Sequence, residues 1–148
     1  MKKLIAVNNN NSDLTNIALL VARVAVAALM LSHGLPKLAQ FFQAGPVSFV
    51  PFMGLSPAIS LALAVFAEVV CSLFLLVGFA TRLSVIPLAF TMLVAAFIIH
   101  QADPFAKKEL AIMYLVTYVV LFFAGSGKFS VDYLLQRYQK KQMAYSNK

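Results

Sequence analysis

Arg23, His33 and Glu68 sit inside long apolar runs where an ionisable side chain has few neighbours of its own kind. In such surroundings these residue types hold ion pairs, relay protons or hydrogen-bond the polar head of an amphipathic ligand. An isolated ionised group near the centre of a bilayer costs at least ~3 kcal/mol, so each needs a partner or a task. Arg23, Val26, Met30 and His33 recur at alternating three- and four-residue spacing, which places both ionisable groups on one helical stripe. Lys37 extends that stripe if Pro36 only kinks the helix. Ser60, Ala64, Glu68 and Ser72 make a second stripe of small residues around one carboxylate, a composition that lets a neighbouring helix approach closely. The two stripes are expected to face each other. With Glu68 near the bilayer centre, Arg23 falls about 7 Å nearer the cytoplasm and His33 about 8 Å nearer the outside. Glu68 is therefore expected to pair with Arg23 or to stay protonated.

The elements that must position these groups follow from composition. The 148-residue chain is 61% hydrophobic and only 11% charged, with a mean hydropathy of +0.86. That is far from the roughly 25% charged residues of soluble domains, and it predicts an integral membrane protein. Apolar runs at 17–35, 58–79, 83–100 and 110–125 approach the ~20 residues a helix needs to span the hydrocarbon. The predicted fold is all-α, an integral membrane four-helix bundle. The first run is expected to remain as a span, because Lys2 and Lys3 are followed by a polar stretch at 8–16 and the apolar core exceeds a signal peptide's. Lys2, Lys3, Arg82, Lys128, Arg137, Lys140, Lys141 and Lys148 fall on one side of this topology, so both termini are expected in the cytoplasm. The net charge of +7 is read as a topology and anionic-lipid signal; nothing here suggests nucleic acid.

Three segments are expected, with boundaries 1–16 for a polar cytoplasmic N-terminus, 17–127 for the transmembrane domain and 128–148 for a basic cytoplasmic tail. In the tail, Ser130 is a plausible N-cap, and Val131, Leu134, Leu135 and Tyr138 share one face, predicting an amphipathic helix along the inner leaflet. The outer loop at 36–57 carries an apolar stretch at 47–53 broken by Pro51, too short to span and read as a re-entrant or interfacial cap.

Other residues offer weaker chemistry. Tyr114, Tyr118 and Phe122 at i, i+4 and i+8 form an aromatic stripe that is usually core but could also wall a flat ring such as a quinone, with a tyrosine hydroxyl or His33 bonding its carbonyl. His100, Asp103 and Glu109 could hold a divalent ion, although solvated loop charges are the simpler reading, and no metal site is expected. Cys71 is the sole cysteine, which excludes an intramolecular dithiol cycle. The run Gly125-Ser126-Gly127-Lys128 lacks the spacing of a phosphate loop and reads as a helix stop.

The stretch LLVARVAVAALMLSHGLPKL resembles the opening of DoxX proteins, where Arg is followed ten residues later by His-Gly and then Lys. FAEVVCSLFLLVGFATRL is similar to the family's second helix, with Glu68, Gly78, Thr81 and Arg82 matching. GSGKFSVDYLL resembles its closing pattern through Gly125, Gly127, Lys128, Ser130 and Asp132. The likeness covers 20–135. It implies a small four-helix inner-membrane protein, in a family named for a subunit associated with quinone-linked oxidation of sulfur compounds.

The expected function is a membrane subunit or accessory factor of a quinone-linked redox system, with Glu68, His33 and Arg23 as the reactive groups and Lys37, Tyr114 and Tyr118 around a quinone-like cofactor. A soluble or membrane redox partner, a homo-oligomer and the lipid bilayer are the partners this reading allows. A non-catalytic scaffold and a small proton-coupled transporter stand as alternatives.

Overall fold

The computed structural model describes residues 12–43 and 45–146, leaving out the side chain of Ser146. The N-terminal segment expected to be polar lies largely outside the described residues. Five helices account for most of the chain, and among the described residues there is no strand. They are α1 (Asp13–Gln40), α2 (Pro57–Val77), α3 (Thr81–Ile99), α4 (Phe105–Ala124) and α5 (Val131–Ser146).

Helices α1, α2 and α3 are each long and apolar enough to cross a membrane. Helix α4 packs with them as the fourth member of the bundle but carries Lys107, Lys108 and Glu109 near its start. The outward faces are apolar as well as the core: Val21, Leu63, Phe66, Phe90, Phe97 and Phe123 are all exposed. Helices hydrophobic all round belong in lipid, and the chain is a multi-pass helical membrane protein.

Local sequence sets the helix ends. Ser12 caps α1 by accepting from the Thr15 amide at 3.2 Å, and Ser56 caps α2 from Ile59, with Pro57 in the first turn. Helix α1 runs through Pro36 to Gln40, so Lys37 does stay on the helix. At the end of α2, Gly78 turns left-handed at φ 72°. Its amide donates to Leu75 O and that of Phe79 to Phe74 O, while the two phenyl rings meet edge to face. Gly125, at φ 80°, stops α4 as expected.

Two stretches widen into π-helix, Phe66–Cys71 within α2 and Ala95–Ile99 at the end of α3. The main core lies among α1, α2, α3 and α4, with Val26, Met30, Leu75, Leu88, Tyr118 and Leu121 at its centre. A smaller cluster of Leu61, Val65 and Val69 is covered by Val47 and Phe49 from the long loop. That loop is a cap over the bundle. The Phe52 amide donates to Ser60 Oγ at 3.0 Å, and the Phe52 ring meets Phe90 of α3 edge to face. The end bearing this cap is the loop end; the opposite one, where the chain enters and leaves, is the terminal end.

Candidate functional site

Gly34 brings α1 against the π-helical turn of α2. A Cβ at this position would lie 2.9 Å from Val69 Cγ2 and 3.0 Å from the Glu68 backbone carbon, so only glycine permits the approach. One turn further along α1, Lys37 Nζ donates to Glu68 Oε1 at 2.5 Å. The pair is lopsided: the Glu68 side chain is 1% exposed and that of Lys37 31%. Glu68 Oε2 is buried with no hydrogen-bond partner. A buried carboxylate oxygen without a donor is expensive and calls for an explanation, a bound group being one. The π-helical turn reinforces this, since such bulges concentrate at functional sites.

Beside the pair lies a cavity of about 450 Å³ between α2 and α3, roofed by the cap. Phe49 and Phe52 of the cap, Leu63 of α2 and Phe90 and Val94 of α3 form its apolar wall. Lys37, Glu68, Ser60, Thr91 and His100 are its polar points, and both π-helical stretches contribute to the lining. Volume and composition match a small-molecule site, apolar with a few placed polar groups. At the rim, His100 Nδ1 and Asp103 Oδ2 are 2.7 Å apart, with Lys107 at 3.5 Å from the same carboxylate. The hydrogen bond with His100 holds the Asp103 carboxyl below its ordinary pKa. Among the described residues no three His, Cys, Asp or Glu side chains come together as a metal site.

The other residues singled out by sequence lie elsewhere. The buried stripe of α1 runs Asn16, Leu19, Arg23, Val26, Met30 and Gly34, which leaves His33 exposed on its flank. The His33 ring meets Tyr114 edge to face at 6.0 Å, and Tyr114 stacks on Tyr118 at 6.2 Å. The two tyrosines belong to the core, and neither lines the large cavity. The buried hydroxyl of Tyr118 has no hydrogen-bond partner.

Arg23 and Glu68 are not brought together. Arg23 precedes Gly34 by eleven residues, about 16 Å along a helix. At the terminal end its Nη1 donates to Ser126 O at 2.6 Å and its Nη2 to Phe129 O at 2.7 Å. The offset expected from centring each apolar run at one depth was too small, because α1 continues past Pro36 and Glu68 meets it near that later end.

Around Arg23 most of the remaining motif residues form a lock. Asp132 accepts from the amides of Ala80 and Thr81 at 2.7 and 3.1 Å, capping α3 from a different helix. The Asp132 amide donates to Gly78 O at 3.0 Å. Ser130 Oγ, as expected, caps α5 by accepting from Tyr133. A Cβ on Gly78 would lie 2.5 Å from Arg23 Nη1 and 2.6 Å from Ser130 Cβ. Asn16 Oδ1 receives the Lys128 amide, and Lys128 Nζ reaches Asp13 at 3.2 Å.

Comparison with known proteins places the chain in a family. The sequence pattern of the DoxX family matches residues 18–101, more than half of the chain and including both members of the Lys37–Glu68 pair. The chain belongs to the DoxX family. An uncharacterized protein of Haemophilus influenzae is 30% identical over 117 residues, 74% of this chain and 84% of that relative. No solved structure matches. The DoxX match closes near His100, so the Gly125–Asp132 portion of the lock lies beyond it.

Sequence reasoning missed the Lys37–Glu68 pairing, the aromatic roof and the capping role of Asp132. The signal for the first was present: Lys37 continues the α1 stripe one turn after Gly34, at the level where a glycine admits the carboxylate's helix.

Proposed function

We propose that the cavity between α2 and α3 binds a quinone-like or similar small amphipathic molecule, and that the chain is a membrane subunit or accessory factor of a redox system. The observation that carries this reading is the buried Glu68 carboxylate, held by Lys37 through one oxygen and unpartnered at the other, at the wall of an otherwise apolar cavity. An aromatic roof suits a flat ring, and a cavity of about 450 Å³ admits a ring with part of its tail. A quinone would supply two-electron, two-proton chemistry. The chain's own part is to bind and orient: Lys37 donates a hydrogen bond to a carbonyl, Glu68 accepts from a hydroxyl or passes a proton, and the apolar wall excludes water. In this reading His33, Tyr114 and Tyr118 stand behind the site and Arg23 holds the bundle together. The orientation consistent with the basic residues puts both termini in the cytoplasm, with the protein in the inner membrane.

A non-catalytic scaffold is favoured by one observation of its own: both Nη groups of Arg23 donate to backbone carbonyls, as those of a packing residue do. Binding of a short-chain ubiquinone to the protein in nanodiscs separates the two. Glu68→Gln and Lys37→Met should each weaken binding by about ten-fold or more. The double variant Lys37→Met with Glu68→Leu, which removes both charges, should fold and fail to bind. Full affinity in a folded Glu68→Gln protein, or no affinity in the wild type, would sink the redox-site reading.

A further inference from the structure

Helix α5 carries an apolar face that nothing in the bundle covers. Leu134, Leu135, Tyr138 and Tyr145 project on one side, and Leu134 and Tyr138 are 63% and 62% exposed. Arg137 and Lys140 lie off this face and Lys141 borders it, all exposed. The sole carboxylate of the helix, Asp132, is buried and committed to the amides of Ala80 and Thr81. The helix therefore presents apolar side chains and positive charge with no free negative group. Its first turn is fixed to the end of the bundle by Asp132, Gly78 and Ser130. That attachment holds α5 at the end of the membrane-crossing helices, where the headgroup layer lies.

We propose that α5 is an anionic-lipid docking helix, which sinks Leu134, Leu135 and Tyr138 into the bilayer surface and binds acidic headgroups through Arg137, Lys140 and Lys141. A protein partner is less suited to this helix. Its apolar strip lies beside an unrelieved positive charge at bilayer level, the combination that a phosphate-bearing lipid surface complements. The docked helix would brace the lock, because the same first turn caps α3 and contacts the Arg23 neighbourhood. The inference concerns the terminal end and holds whether or not the α2/α3 cavity binds a quinone.

The chain has no tryptophan, so Tyr138→Trp gives a single fluorescent reporter on the exposed face. In nanodiscs of phosphatidylcholine with phosphatidylglycerol, its emission should be blue-shifted and quenched by brominated lipid. Without the anionic lipid, quenching should fall. Adding Arg137→Gln, Lys140→Gln and Lys141→Gln should bring quenching down to the same low level, each lost charge weakening attachment by about five-fold. In detergent, where there is no bilayer surface to dock on, the melting of the bundle should survive these changes, since none of the three side chains joins the lock. Red-shifted emission quenched by aqueous acrylamide in both lipids would overturn the proposal and leave the apolar face for a protein. Equal bromolipid quenching with and without the charges would overturn its anionic part.

Discussion

The two ends of the bundle handle buried charge in opposite ways. At the terminal end, Arg23 is 1% exposed yet donates to two carbonyls, and Asp132 is 2% exposed yet accepts from two amides. Each ion there bonds backbone groups that turns and helix ends leave without partners. At the loop end, Glu68 is equally buried but has one oxygen paired and one bare, beside a cavity and inside a π-helical turn. Charge bonded to backbone at packed turns holds a structure, whereas charge with an unpaired oxygen at a cavity wall is available to a ligand. Arg23 Nε is also buried without a partner, so position in the membrane and incomplete bonding do not separate the cases; the cavity that Glu68 lines and Arg23 does not is what separates them.

The largest effect should come from breaking the terminal end. Arg23→Ala would strand the carbonyls of Ser126 and Phe129, remove the cation that faces Asp132 and leave a void. The cost expected is about 3–5 kcal/mol, read by thermal or denaturant unfolding in detergent. Ligand binding by whatever fraction remains folded should match the wild type. A stable Arg23→Ala protein that has lost binding would reverse the comparison, making Arg23 part of the site.

A smaller and more selective effect is expected at Gly34. Gly34→Ala places a methyl 2.9 Å from Val69 Cγ2 and 3.0 Å from the Glu68 backbone, so α1 and α2 must separate by a few tenths of an ångström. The stability cost should be about 1–3 kcal/mol. Because Lys37 reaches Glu68 from the next turn, quinone affinity should drop with it, while Gly34→Ser should behave as badly or worse. Unfolding that is unaffected, together with unchanged binding, would show that the close crossing does not set the pair.

The fold was largely readable because each apolar run is as long as the bilayer requires, and because Ser56-Pro57, Gly78, Gly125 and Ser130 mark helix ends by known mechanisms. The helix running through Pro36, the cap at 47–53 and the face of α5 were likewise available from spacing and breaker residues. The candidate site was readable only in part. Glu68 stands out as a carboxylate in an apolar run, but its partner depends on how far α1 extends and where α2 crosses it. The π-helical turns leave no mark in hydropathy, since Phe66–Cys71 and Ala95–Ile99 are apolar in almost any register. The partners of Arg23 are backbone carbonyls, which every residue possesses, so no residue type could have announced them.

The smallest effect separates the rim of the cavity from its buried wall. Asp103 lies outside the helices with its pKa lowered, first by the hydrogen bond with His100 and then by Lys107. A carboxyl with a depressed folded pKa lends stability that is complete above its unfolded value, near 4, and is lost as pH falls through the lower folded value. Acidification should therefore loosen the 100–104 turn, and with it His100 at the cavity rim, by a small amount that solvent and salt reduce further. Comparing melting temperatures at neutral and acid pH, the wild type should lose slightly more than Asp103→Asn, whose turn has no charge to titrate. An equal acid loss in both would remove the rim from the comparison.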